Sequence, residues 1–391
     1  MKFKLIQLAS FLCLSAATAS AQTPVPPPGM PMPAAPQLGA TSYLLIDYNS
    51  GKVLVEHEPD ASVEPASITK IMTSYVVFQE LASGNVALED VVKISENAWR
   101  AIGSRMFLEP GMEVTVEELI KGLVIQSGND ASIALAEHLG GTEAAFAGVM
   151  NHNAQLLGMS GTHFTNATGL PDENHYTTAR DVALLSIALI RDFPDYYRWY
   201  AEKEFTFNNI RQHNRNNLLW RDPAVDGLKT GHTEAAGYCL AASAKREGMR
   251  LVSVVMGSAS EQSRVSESQS LLNYGFRFFE TVQLYEAGQV LATGRVWKGE
   301  VEEVSMGLAE DLFITIPRGR YDDLQASLEV RPRLLAPLDV GQQVGRIRIE
   351  LGDELVASRD LVTLEPVSPS GFFSRAMDGM RLWFGGLFGD E

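Results

Sequence analysis

The stretch Glu64-Pro65-Ala66-Ser67-Ile68-Thr69-Lys70-Ile71-Met72-Thr73 opens a run with helical periodicity and places a lysine three residues after a serine. Ile71, Met72, Tyr75, Val76 and Phe78 recur at core-facing spacing, which predicts a helix over residues 68–82 with Gly84 just past its end. The amino end of a helix presents partial positive charge and favours Asp or Glu. Serine there is an ordinary N-cap, and its usual companion three residues on is Glu or Gln. Capping therefore explains Ser67 and leaves Lys70 unexplained. At this separation the two side chains share a helix face and can hydrogen-bond. A serine hydroxyl becomes a nucleophile when a neighbouring base takes its proton. A buried lysine near other positive charge has the lowered pKa that such a base needs. Alone the S-x-x-K pattern is weak, since it arises by chance about once in a chain of this length.

Two further motifs change its weight. Ser127-Gly128-Asn129 is expected in a loop between helical segments, where a hydroxyl and an amide can converge on Ser67. A second S-x-N, Ser95-Glu96-Asn97, reads as the cap of a helix starting near Asn97. The third motif is Lys229-Thr230-Gly231, inside Asp226-Gly227-Leu228-Lys229-Thr230-Gly231-His232-Thr233. A strand edge bearing Lys and Thr can grip an anionic substrate end, and Gly231 lets a bound backbone approach closely. The HExxH, G-x-S-x-G, CxxC and P-loop patterns are absent, and the seven histidines are scattered singly.

Around these motifs the chain divides by texture. It has 391 residues, 45% of them hydrophobic, enough for two domains. A basic start, the apolar run 5–14 and Ala19-Ser20-Ala21 read as a signal peptide over residues 1–21. Its removal leaves Cys239 as the one cysteine, so no intrachain disulfide can form. Loss of Lys2 and Lys4 takes the formal charge from −16 to −18, which argues against nucleic acid as a partner. Residues 22–40 are Pro-rich and read as a linker. The segments 43–47 and 52–55 form a hairpin around Asn49-Ser50-Gly51. Helices are expected over 116–126, 131–139, 143–157, 179–191 and 261–280, and strands over 238–245 and 250–257 with a turn at Glu247-Gly248.

From residue 282 to 366, short alternating segments (289–291, 312–316, 343–351, 354–357) predict a small, sandwich-like all-β domain. Residues 367–391 follow, with Phe372, Phe373, Met377, Met380, Trp383, Phe384, Leu387 and Phe388 on one helical face. Too short and too charged to span a bilayer, this segment suits a helix lying in the membrane interface. Its five glycines argue against a helix that is self-sufficient in water.

The order S-x-x-K, S-x-N, K-T-G is shared by penicillin-binding proteins and class A β-lactamases. From residue 40 to 366, with the amphipathic tail in addition, the chain resembles the low-molecular-mass penicillin-binding proteins, the D-alanyl-D-alanine carboxypeptidases. Gln212-His213-Asn214-Arg215-Asn216, Leu218-Leu219-Trp220 and residues 225–233 look like that family's approach to its K-T-G strand. The resemblance implies an α/β (α+β) transpeptidase-like domain over residues 41–281, an antiparallel sheet with helices on both sides. It implies removal of the terminal D-alanine from peptidoglycan pentapeptides through an acyl-enzyme on Ser67, and acylation by β-lactams. Lys70 would be the base and Ser127 the proton shuttle, with Asn129 holding substrate or ordering Lys70. The backbone N–H groups of Ser67 and His232 would form the oxyanion hole. Lys229, Thr230, Gly231, Thr233 and Arg215 would bind the substrate end. No metal or organic cofactor is implied, and the location would be the periplasmic face of the inner membrane.

Three rivals stand beside this reading. A class A β-lactamase usually carries Asp in the middle of the second motif and uses a glutamate for deacylation. Here Gly128 holds that middle place, and Glu173 lies in an unlike context. An inactive peptidoglycan-binding protein would not be expected to keep all three motifs complete. A shift within the family toward cleaving crosslinks is not decided by sequence.

Overall fold

The apolar run Tyr43-Leu44-Leu45-Ile46 has no polar face, and the fold accounts for it. The computed structural model describes residues 32–388, with side chains through Arg381. Its first sheet has strands β1 (Ser42–Asp47), β2 (Val53–His57), β3 (Val225–Thr233), β4 (Gly237–Arg246) and β5 (Met249–Ser258), in the order β2-β1-β5-β4-β3. Every pairing is antiparallel. Successive side chains on a strand point to opposite faces. Leu44 and Ile46 therefore join a core with Met72, Val76, Phe78 and Leu135, while Tyr43 and Leu45 join a second with Leu240, Leu272 and Phe276. Burial on both faces is what removes the polar alternation.

The first face is covered by α1 (Lys70–Ala82), α2 (Asn129–Gly140), α3 (Glu143–Leu156) and α4 (Ala179–Asp192), and the second by α5 (Glu261–Phe278). The hairpin at Glu247-Gly248 has φ of +49° and +84°, the pair of left-handed residues that a tight β-hairpin turn needs.

Four local expectations are corrected. The helix expected over 116–126 is α only from Val116 to Lys121; Gly122–Gln126 widens into a π turn that delivers Ser127 in the left-handed region at φ +67°. Asn129 begins a helix and is not in a loop. The last helix stops at Phe278, where Phe279–Tyr285 departs as a strand. Residues 289–291 are not a strand; the strand begins at Ala292. The expected cap on the rejected S-x-N is present, since Ser95 Oγ accepts from Ala98 N at 3.0 Å.

The signal-peptide reading of residues 1–21 and the linker through residue 31 lie outside the described residues. The end of the linker is not free spacer: Tyr274 donates to Pro33 O (3.1 Å) and Gly39 N donates to Glu267 (3.1 Å), so it lies along α5.

The second domain is all β. Phe279–Tyr285 pairs with Leu312–Pro317. A six-stranded sheet runs in the order Leu324–Val330, Gln343–Leu351, Glu354–Thr363, Glu303–Gly307, Ala292–Trp297, Leu334–Leu335. The domains meet through Thr281 Oγ1, which donates to Asp47 Oδ2 at 2.7 Å, and through the Ser50 and Thr315 hydroxyls, 2.6 Å apart. Helix α6 (Phe372–Phe388) follows; its Asp378 accepts from Lys298 N at 2.8 Å.

Candidate active site

Ser67 does not cap α1. It sits in a 3-10 turn, Ala66–Thr69, held by Ala66 at φ +48°, and α1 starts at Lys70 with no side-chain cap. The partner of Ser67 Oγ is Lys70 Nζ, 3.0 Å away. Lys70 Nζ also donates to Asn129 Oδ1 (2.6 Å) and to Thr168 O (2.5 Å). Asn129 Nδ2 donates to Ile102 O at 2.6 Å, which fixes its oxygen towards the lysine. A neutral amine has two N–H groups and one lone pair. The two carbonyl oxygens take the N–H groups, and the third direction points at Ser67 Oγ.

Lys70 is fully buried, and burial lowers its pKa to about 7 against the opposing pull of Asp130 and Glu143. Burial, one half of the expectation, is the cause of the shift. The other half, positive surroundings, is corrected, since the charges that act on Lys70 are the two acidic groups, which raise its pKa. These carboxylates have other work. Asp130 accepts from Met106 N (2.9 Å) and Leu108 N (3.1 Å), pinning the loop that carries Ile102; Glu143 accepts from Ala167 N (3.0 Å), pinning the loop that carries Thr168.

β3 forms the opposite wall as the edge strand of its sheet. Lys229 is buried and has Thr230 O at 3.1 Å. Burial holds its pKa well below the usual value, and the charges of Lys70, Arg264 and Arg215 add to this. Gly231 makes a close approach, though to its own chain. A Cβ there would lie 3.0 Å from Pro65 O and 3.2 Å from Ala66 Cβ, so the glycine seats the strand against the nucleophile turn. Thr233 Oγ1 donates to Glu64 (3.2 Å) and accepts from Ala236 N (2.9 Å). Arg215 is exposed and donates to Ser104 Oγ at 3.2 Å.

The walls enclose a cleft of about 460 Å3, to which Ser67, Ser127, Asn129, Arg215, Thr230, Gly231, His232 and Thr233 all contribute. Lys229 stands behind it. The predicted residues are thus brought to one place. Glu173 is exposed and is not part of the lining.

The sequence profile described as D-alanyl-D-alanine carboxypeptidase matches residues 30–260. This chain belongs to the D-alanyl-D-alanine carboxypeptidase family. A second profile, the C-terminal domain of penicillin-binding protein 5, matches residues 279–368. The chain is 47% identical over 367 residues to D-alanyl-D-alanine carboxypeptidase DacA of Escherichia coli (strain K12), covering 92% of this chain and 91% of the relative. The crystal structure of penicillin-binding protein 5 from Haemophilus influenzae superposes with a TM-score of 0.84 at 44% identity, over 86% of this chain and 99% of that one. Penicillin-binding protein D2 from Listeria monocytogenes in its ampicillin-bound form superposes with a TM-score of 0.57 at 28% identity, over 61% and 98%.

Sequence reading missed residues that line this family member's cleft or, like His175, brace the nucleophile turn from behind. Arg264 lines it and reaches Gly231 O, and a lone Arg on a helix gives no signal of that. His175 is buried with Nδ1 accepting from Thr165 N (3.1 Å), so its Nε2–H donates to Thr69 Oγ1 (2.8 Å). Burial lowers its pKa to about 4, which keeps it neutral. Thr168, whose carbonyl oxygen holds Lys70, had no cue, because a backbone carbonyl leaves no mark of its own in a sequence.

Proposed function

We propose that the chain hydrolyses the D-Ala-D-Ala bond of peptidoglycan pentapeptides with Ser67 as nucleophile. The observation that carries this reading is the buried Lys70 amine, held by two carbonyl oxygens with its third direction on Ser67 Oγ. Ser67 Oγ attacks the carbonyl carbon and its proton passes to Lys70. The resulting oxyanion is held by the N–H groups of Ser67 and His232. The C–N bond then breaks, Ser127 relays the proton from Lys70 to the departing amine, and water hydrolyses the ester. Asn129 orders Lys70, because both ends of its amide are used within the protein. Lys229, Thr230 and Arg215 attract the terminal carboxylate, and Thr233 can join them by giving up Glu64.

The test is intact mass spectrometry after benzylpenicillin, on the wild type and on Ser67→Ala, with D-alanine release from a D-Ala-D-Ala peptide measured alongside. The wild type should gain one penicilloyl group and Ser67→Ala none; equal labelling of both would sink the assignment. Loss of the label within seconds would favour a β-lactamase.

Catalysis falls to the first domain, whose expected boundary at 281 moves back to Phe278 because Phe279–Tyr285 is already a strand of the β-domain. Val367, expected in the tail, still packs in the β-domain core, and the segment beyond it, carrying α6, anchors the protein on the periplasmic face of the inner membrane. Among the described residues no helix is long and apolar enough to cross a membrane. Support for the anchor comes from α6, where Phe372 and Phe373 are 73% and 86% exposed and Met377 and Met380 are exposed as well. Such a face is costly in water and favourable at a lipid interface. Deletion of residues 370–391 should move the protein from membrane to soluble fractions; unchanged fractionation would contradict the anchor.

A further inference from the structure

The peptide joining Gly231 to His232 is gripped at its carbonyl end by a charge. Arg264 lies in the first turn of α5, is 5% exposed, and donates from Nη1 to Gly231 O at 3.2 Å. Its Nη2 reaches Glu261 Oε1 at 3.4 Å, and its buried Nε has no partner among the described residues. The guanidinium lies 5.6 Å from the ring of Tyr238, which stacks on the ring of His232 at 4.0 Å. The arginine thus braces both the carbonyl before His232 and the side chain of His232.

The C=O and N–H of a trans peptide point in opposite directions. With Gly231 O turned towards Arg264, the N–H of His232 points away from it. A charge-assisted hydrogen bond to the carbonyl draws electron density from the nitrogen, so the N–H becomes a stronger donor. We propose that Arg264 is a positioning residue for the reaction, fixing and polarising the Gly231–His232 peptide so that the His232 N–H binds the oxyanion more strongly. This rests on the assignment of that N–H to the oxyanion hole made above. Losing one oxyanion donor costs about 10²–10³-fold in rate. Weakening a donor without removing it should cost less, on the order of tenfold.

The experiment is infrared spectroscopy of the acyl-enzyme formed with carbonyl-labelled penicillin, together with the acylation rate, for wild type, Arg264→Met and Arg264→Lys. The ester carbonyl band reports directly on hydrogen bonding in the oxyanion hole. Arg264→Met should acylate roughly tenfold more slowly and show the band at higher wavenumber. Arg264→Lys keeps the charge but loses the fork, and should fall between; it carries the same test should Arg264→Met not fold. A slower rate with an unmoved band would make Arg264 merely structural and overturn the proposal. A rise in KM with an unmoved band would make it a carboxylate ligand and overturn it equally. Absence of any label on the wild type would instead bring down the Ser67 assignment, and this inference with it.

Discussion

Replacing Lys70 with methionine should lower the rate of acylation by benzylpenicillin by about 10³-fold, in the range lost when a general base is removed. Methionine fills much of the same volume and leaves Asn129 Oδ1 and Thr168 O without their donor. Lys70→Arg should be nearly as slow, because a guanidinium stays protonated and cannot accept from Ser67. In the wild type, acylation should rise with pH through about 7, as Lys70 loses its proton, and then level off. The same group should show in stability. Its folded pKa lies below its unfolded one, so between about 7 and 10.5 the unfolded chain binds the extra proton. Stability contributed at this site therefore rises with pH across that window, by up to about 1.4 kcal/mol per pH unit, and is lowest below pH 7. Thermal midpoints at pH 6 and 9 should show the wild type gaining on Lys70→Met as pH rises. A flat rate profile from pH 6 to 8, or acylation retained in Lys70→Met, would remove Lys70 from the role of base.

What the sequence disclosed here was identity and order more than cause. Serine, lysine, asparagine and the K-T-G strand could be placed from three short patterns, because the patterns, each weak alone, are specific in their fixed order. The depression of the Lys70 pKa could be foreseen in direction, but its source lies in packing: Lys70 is sealed by the 102–108 and 166–170 loops, which Asp130 and Glu143 tie down across 22–24 residues of chain. Local patterns do not encode such partners. Ala66 at φ +48° and Ser127 at φ +67° are a second case. Neither residue type favours the left-handed region, so each is held there by its surroundings, and both flank the reacting groups. The helices and both domains followed from periodicity, which is a property of the chain itself. Their ends were less legible: the π turn Gly122–Gln126 before Ser127 and the switch to a strand at Phe279 leave no periodic signal.

Gly169→Ala tests that dependence on the neighbouring loop. Gly169 has φ +83°, and a Cβ on it would lie 1.8 Å from Ala66 O and 2.9 Å from Thr69 Oγ1. The left-handed backbone alone costs an alanine about 1–2 kcal/mol, and forcing an atom into a packed site adds about 1–3 kcal/mol. The sum, about 2–5 kcal/mol, corresponds to a fall in Tm of roughly 5–15 °C for a domain of this size. The site cannot absorb the methyl by moving a flexible side chain, because the atom it meets is backbone. Relief requires the 166–170 loop to part from the Ala66–Thr69 turn. That separation draws Thr168 O from Lys70 Nζ and shifts Ser67 at the same time. A displacement of about 1 Å at a reacting pair costs on the order of 10²-fold in rate, so acylation should fall at least that far even at temperatures where the protein stays folded. Gly231→Ala is the control of unequal severity. Its nearest contact would be 3.0 Å, and its backbone is not left-handed. A shift of a few tenths of an ångström relieves it, and its loss in Tm should be the smaller of the two. Equal Tm values for Gly169→Ala and the wild type would show that the loop and the nucleophile turn are not in contact as described, and the geometry around Lys70 would fall with that contact.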